Sequence, residues 1–134
     1  MNKEILNKLS DKRLNKVGAS DLEQAKKIFT QVIEELSALQ TIEEKLTKLD
    51  EKYGFLENSL MHLTAKFGDE LSTATILDLI SESPEAMQSV VNTRNRELFT
   101  AMHYAAHSGN SMLAEALLAG GAENNPQASI EHRL

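Results

Sequence analysis

Thr100-Ala101-Met102-His103-Tyr104-Ala105-Ala106-His107-Ser108-Gly109 decides the fold, because the chain carries this pattern twice. Forty-one positions earlier stands Ser59-Leu60-Met61-His62-Leu63-Thr64-Ala65-Lys66-Phe67-Gly68. Both read [ST]-x-M-H-x-[AT]-A-x-x-G, and internal self-similarity of this kind marks a stacked repeat architecture. A small pair such as Ala105-Ala106 lets two helices approach closely, where larger side chains would overpack the contact. Gly109 can take a positive φ, ending one helix and turning the chain back. The residues that follow, Asn110 to Asn125, supply Leu117-Leu118 as the buried face of a second helix and leave it at Gly120-Gly121.

The pattern resembles the ankyrin repeat, whose signature T-P-L-H-x-A recurs at about 33 residues. The likeness is closest from Asn92 to Asn125. Asn95 stands where the family has Asp, and Thr100 and His103 match the opening, with Ala101 for Pro and Met102 for Leu. Ala105, Ala106 and Gly109 match the inner helix and its turn; Leu117, Leu118, Gly121 and Ala122 match the outer helix and its exit. Leu98 departs from the pattern, standing where the family has its turn Gly. In the first copy, residues 58–91, the matches are Ser59, Met61, His62, Ala65 and Gly68. Its later half is about eight residues too long for the family period. Ile76, Leu77, Leu79 and Ile80 read as its outer helix, and Ser83-Pro84 as N-cap and N1 of a short extra helical turn. The resemblance implies that Thr100 with His103, and Ser59 with His62, hydrogen-bond to hold the turn before each inner helix, a structural role.

Residues 1–57 lie outside the resemblance. Ile5, Leu6, Leu9, Leu14 and Val17 suggest an amphipathic helix stopped by Gly18. Ser20 with Glu23 reads as a capping box opening a second helix. Its stripe is Leu22, Ala25, Phe29, Val32, Leu36 and Leu39, widened by Ile28 and Ile33. From Ile42 the stripe shifts to Ile42, Leu46, Leu49, Tyr53 and Leu56, turned by roughly 90° at 100° per residue. With a second capping box at Thr41 and Glu44, this favours a break near Gln40 and two helices folded on each other; one long rod with a stammer is the alternative. Two repeats are fewer than the three or so that make a stable stack. Residues 1–57 are therefore expected to form a helical cap on repeats spanning 58–125. Residues 126–134 form a tail in which Ile130 and Leu134 either fold back or fray. The fold class is all-α.

Charge and composition narrow the function. The 134 residues carry 14 Lys+Arg, 20 Asp+Glu and no Cys. A thiolate metal site, a disulfide scaffold and a cysteine nucleophile are excluded. A net charge of −6 argues against coating nucleic acid. The charge is uneven: residues 1–57 hold 10 basic and 11 acidic side chains, residues 58–134 only 4 and 9. No apolar run approaches the length of a membrane span, and the start carries no signal-peptide core, so the expected setting is the cytoplasm. His103 and His107 have the i, i+4 spacing of a zinc helix but lack the intervening Glu and the other ligands, so no metal is expected. Glu34-Glu35 and Glu43-Glu44 read as a solvated face. No phosphate-binding loop or nucleophile elbow occurs, and neither a catalytic residue nor a cofactor is expected.

The expected function is a non-enzymatic protein–protein interaction module that inhibits or regulates a partner by occlusion. Ankyrin-type proteins meet partners through hairpin tips and exposed positions of the inner helices. The matching residues are Arg94, Arg96, Glu97 and Phe99 on the hairpin, and Leu63, Lys66, Phe67, Tyr104, His107 and Ser108 on the inner helices. This set is rich in the aromatic and Arg residues that anchor interfaces. The acidic repeat half suggests a partner with a basic patch. Small ankyrin-type proteins of this makeup resemble effectors, or regulators of effectors, of intracellular bacteria, which would place the protein in a host cytosol. The alternative is a homo-oligomeric scaffold pairing through the 22–56 heptads of the N-terminal helices.

Overall fold

The computed structural model describes residues 2–122. The expected tail at 126–134, with Ile130 and Leu134, lies outside the described residues, as do Glu123 to Asn125 at the end of the second repeat. The described chain is all-helical: α1 (Asn2–Asp11), a single 3-10 turn (Leu14–Lys16), α2 (Ala19–Ala38), α3 (Ile42–Leu49), α4 (Leu60–Lys66), α5 (Glu70–Leu79), α6 (Pro84–Val91), α7 (Ala101–Ser108) and α8 (Ser111–Ala119).

The two quoted segments fold alike. In each, the Ser or Thr begins an inner helix, and the His three residues on accepts its backbone N–H through Nδ1: Ser59 N to His62 at 3.0 Å, Thr100 N to His103 at 2.8 Å. Gly68 and Gly109 then turn the chain at φ +67° and +69°. The next residue caps the outer helix: Asp69 accepts from Ser72 N at 3.1 Å and Asn110 from Leu113 N at 3.0 Å. The eight extra residues of the first copy are used in α6. This is a two-turn helix, longer than the expected single turn, with Ser83 as N-cap and Pro84 in its first turn.

One correction falls in the second repeat, where Leu117 is buried but Leu118 is exposed; others fall in the N-terminal part. The first helix ends at Asp11, short of Gly18, and the chain crosses to α2 through the 3-10 turn. Gly18 is the N-cap of α2, where its N–H donates to Asp21 at 2.9 Å, and Ser20 lies inside the helix. Gly is tolerated at that post although it brings no side-chain acceptor, and the Asp21 carboxylate in the first turn satisfies the Gly18 N–H. The break near Gln40 is present. Thr41 Oγ1 accepts from Glu44 N, and Glu44 Oε1 accepts from Thr41 N, both at 3.1 Å, so α2 and α3 are separate helices and not one rod.

α2, α5 and α8 pack in succession as one layer, α4 packs on α7, and α3 meets α6. α1 lies on α2 and sends Leu6 and Leu9 into the shared core. The heptad stripe is consumed there: Ala25, Ile28, Phe29, Val32 and Leu36 are buried within this chain, while Leu22 is exposed. Of the small pair, Ala105 is buried but Ala106 is exposed; its counterpart Ala65 is buried in the core. α7 is the last inner helix among the described residues, so its outer side has no described neighbour to approach.

Candidate partner-binding surface

Each inner helix is preceded by a tight turn, and the two turns are built to the same plan. In the first, Glu57 N donates to Gly54 O at 3.1 Å, and Tyr53 and Asn58 exchange backbone hydrogen bonds. In the second, Leu98 N donates to Asn95 O at 2.9 Å. The corresponding residues Glu57 and Leu98 both take left-handed backbone, φ +57° and +67°. The hairpin thus forms with Leu where Gly is the expected residue. Asn95 makes this feasible, because its Oδ1 accepts from the N–H groups of both Glu97 (2.8 Å) and Phe99 (3.0 Å). The turns are joined directly by Arg96 N to Leu56 O at 2.8 Å.

Beneath the turns lies a buried polar network. Asn95 Nδ2 donates to Asn58 Oδ1 at 2.8 Å, Asn58 Nδ2 donates to Ser10 Oγ at 3.0 Å, and Ser10 Oγ donates to Tyr53 O at 2.7 Å. The Tyr104 hydroxyl closes it against Asn58 and Asn95, and burial pushes that phenol up from its ordinary pKa. His62 Nδ1 is an acceptor, so Nε2 carries the proton and donates to Phe99 O at 2.7 Å, tying the first repeat to the second hairpin. Burial lowers the His62 pKa to about 4, which keeps the ring neutral. Gly54, at φ +74°, sits where Ser10 and Asp11 pass so closely that a Cβ would meet Asp11 Oδ1 at 2.5 Å.

This scaffold holds out two large apolar side chains, Phe55 at 72% exposure and Leu98 at 49%. The Arg96 guanidinium lies over the Phe55 ring at 4.9 Å and pairs with Glu57 at 3.2 Å. Beside the tips runs a groove between the α1–α2 connector and the inner helices. One cavity is lined by Asp11 to Leu14, Leu56, Lys66, Glu97, Phe99 and Tyr104. A second, of about 540 Å³, shares Leu14 and Lys66 and continues along Asn15, Val17, His107 and Ser108.

Six of the ten expected contact residues therefore line these two adjoining cavities: Lys66, Glu97, Phe99, Tyr104, His107 and Ser108. Glu97, His107 and Ser108 are exposed, while Phe99 is half-buried, stacked on His103 with ring centroids 5.0 Å apart. Arg94 and Arg96 are exposed on the hairpin. The remaining placements are corrections. Leu63 is fully buried in the core and presents nothing to a partner. Phe67 is buried against Phe29, edge to face at 6.3 Å. Tyr104 and Lys66, at 5% and 8% exposure, form the floor of the groove and not its surface. The Lys66 ammonium serves the fold, donating to the carbonyls of Leu9 (3.1 Å), Ser10 (2.8 Å) and Lys12 at the end of α1. Burial pulls its pKa down to about 8, against the opposing charge of Asp11.

Sequence reasoning missed Phe55, Leu98, Leu14 and Arg13. A signal for Phe55 was present: the register that places Asn95 to Thr100 on the second hairpin places Gly54 to Ser59 on the first. Among the described residues no group of three His, Asp or Glu is placed to hold a metal, and no helix is long and apolar enough to cross a membrane. No known family model matches the chain, and no solved structure is significantly similar to it.

Proposed function

We propose that the protein is an interaction module of ankyrin-like build that binds a partner protein through the two hairpin tips and the adjoining groove, and that it regulates the partner by covering its working surface. The observation that carries this reading is the pair of exposed side chains Phe55 and Leu98, held out by hairpins that bulky residues strain. Exposed Phe and Leu contribute nothing to solubility, and left-handed backbone at Leu costs about 1 kcal/mol or more relative to Gly. Leu98 bears both costs and Phe55 the cost of exposure, which suits a binding role, and an aromatic ring beside Arg is typical of interface anchors.

The burial of Ala25, Phe29, Val32, Leu36, Leu49 and Tyr53 within this chain supports the interaction reading over a scaffold that pairs through the same stripe. The test is affinity capture from the native source, followed by assay of the captured partner. A Phe55→Ala/Leu98→Gly variant should fold with unchanged helicity and capture far less of it. Saturating wild-type protein should lower the partner's activity; unchanged activity would remove occlusion, and undiminished capture by the variant would remove the tips.

A further inference from the structure

From the charges that rim the groove we infer its occupant: an acidic, extended segment of the partner protein that seats an apolar side chain against Leu14 and Phe99. The inference rests on the interaction reading above and specifies its partner. The chain as a whole carries −6, and its repeat half is acidic, which pointed toward a basic partner. The groove itself is different. Its lining carries Lys12, Arg13 and, on the floor, Lys66, against Asp11 and Glu97; Lys16 is exposed between the lining residues Asn15 and Val17, and Arg94, Arg96 and Glu57 stand on the neighbouring hairpins outside the lining.

Two of the nearby ion pairs are closed within the protein, and Asp11 is held in place with its charge intact. The Asp11 carboxylate accepts the Phe55 N–H at 2.7 Å, Glu57 pairs with Arg96, and Lys12 pairs with Asp21 at 3.6 Å. Arg13 and Lys16 have no ion-pair partner among the described residues and are exposed, as is Arg94 on the hairpin; Asp11 and Glu97 are the carboxylates of the lining without an ion pair. The rim is thus a local cationic excess on an anionic protein. Such a surface steers an acidic segment in and repels a basic one. Between the charges lies apolar surface from Leu14, Val17, Leu56 and Phe99. The trough runs along the connector and the inner helices, a shape that suits an extended strand of chain.

The test is selection of a random-peptide phage library on the immobilised full-length protein, followed by anisotropy titration of the enriched peptide, labelled with a fluorophore. The expected consensus combines Asp or Glu with Leu, Phe or Trp. An Arg13→Glu/Lys16→Glu variant, with wild-type helicity, should bind that peptide about tenfold more weakly, because two rim pairs turn repulsive. High salt should weaken the wild type similarly. A basic or uncharged consensus, or an acidic one indifferent to the reversal, would overturn the inference while leaving partner capture and the interaction reading intact. A concentration-dependent dimer dissolved by the same reversal would give the groove to a second copy and overturn it too. An unenriched library also overturns it; the native-source capture then judges the interaction reading alone.

Discussion

Leu98 is held at φ +67° at the rim of the second hairpin and is half exposed. For an L-residue the left-handed region costs about 1–2 kcal/mol, and the extra freedom that Gly adds to the unfolded chain offsets roughly half of this. Leu98→Gly should therefore raise stability by about 0.5 kcal/mol, read as a higher urea midpoint at unchanged slope, while weakening partner capture. Stability and binding moving in opposite directions separates a contact residue from a packing one; a fall in both would make Leu98 part of the core. His62 shows the opposite allocation. Its pKa is about 4 in the folded chain against 6.5 for an ordinary histidine, so the unfolded chain binds more protons between those values. Stability is thus full above about pH 6.5 and declines as pH falls toward 4, by about 3 kcal/mol from this group. Urea unfolding at several pH values should show the decline. A His62→Gln variant should start lower at neutral pH and lose most of that slope.

At the scale of elements, Lys66 is the informative side chain. Three carbonyls at the end of α1 converge on its ammonium, where the negative end of the helix dipole also favours a cation. Lys66→Met keeps the apolar stem but leaves those carbonyls without the donor, and should cost about 2–3 kcal/mol. Hydrogen exchange should then quicken in α1 and the connector before it quickens in α7 and α8; uniform acceleration would show that Lys66 supports no particular element. The helix pairs, the Thr41–Glu44 break and the Ser83–Pro84 start were readable because each rests on local capping chemistry. The connector was not, because Leu14 and Val17 continue the apolar spacing of α1 past its actual end at Asp11. What stops α1 there is distant in sequence: Lys66 takes its last carbonyls, and Gly54 and Phe55 take the side chains of Asn7 and Asp11. The same limit explains the site. Spacing placed Leu63, Phe67 and Tyr104 on an inner helix, but their burial depends on Phe29, Asn58 and Asn95, brought together only by the fold.

Among the described residues stand three helix pairs, α1–α2, α4–α5 and α7–α8, with α3 and α6 meeting beside them, and only the last two pairs share a sequence pattern. α2 lies on α5 as α5 lies on α8, whereas α1 packs on α2 and makes no contact with α4 comparable to that of α4 with α7. The contribution of the first pair is large: Leu6, Leu9, Phe29, Val32 and Leu36 belong to one core with Leu60, Ile76, Leu113 and Leu117. A stack of two repeats buries too little surface to offset the ordering of its chain, and a fragment near 75 residues is at the low end for folding alone. Residues 58–134 on their own would expose Phe67, now turned toward Phe29, and would leave the Lys66 ammonium without its three acceptors. That fragment should show reduced helicity and a broad thermal transition, and the full chain should melt in one sharp step. A sharp transition in the fragment would show that residues 1–57 form a separate unit. The groove would then lie between two independently stable parts, and partner binding would gain a hinge that the present packing excludes.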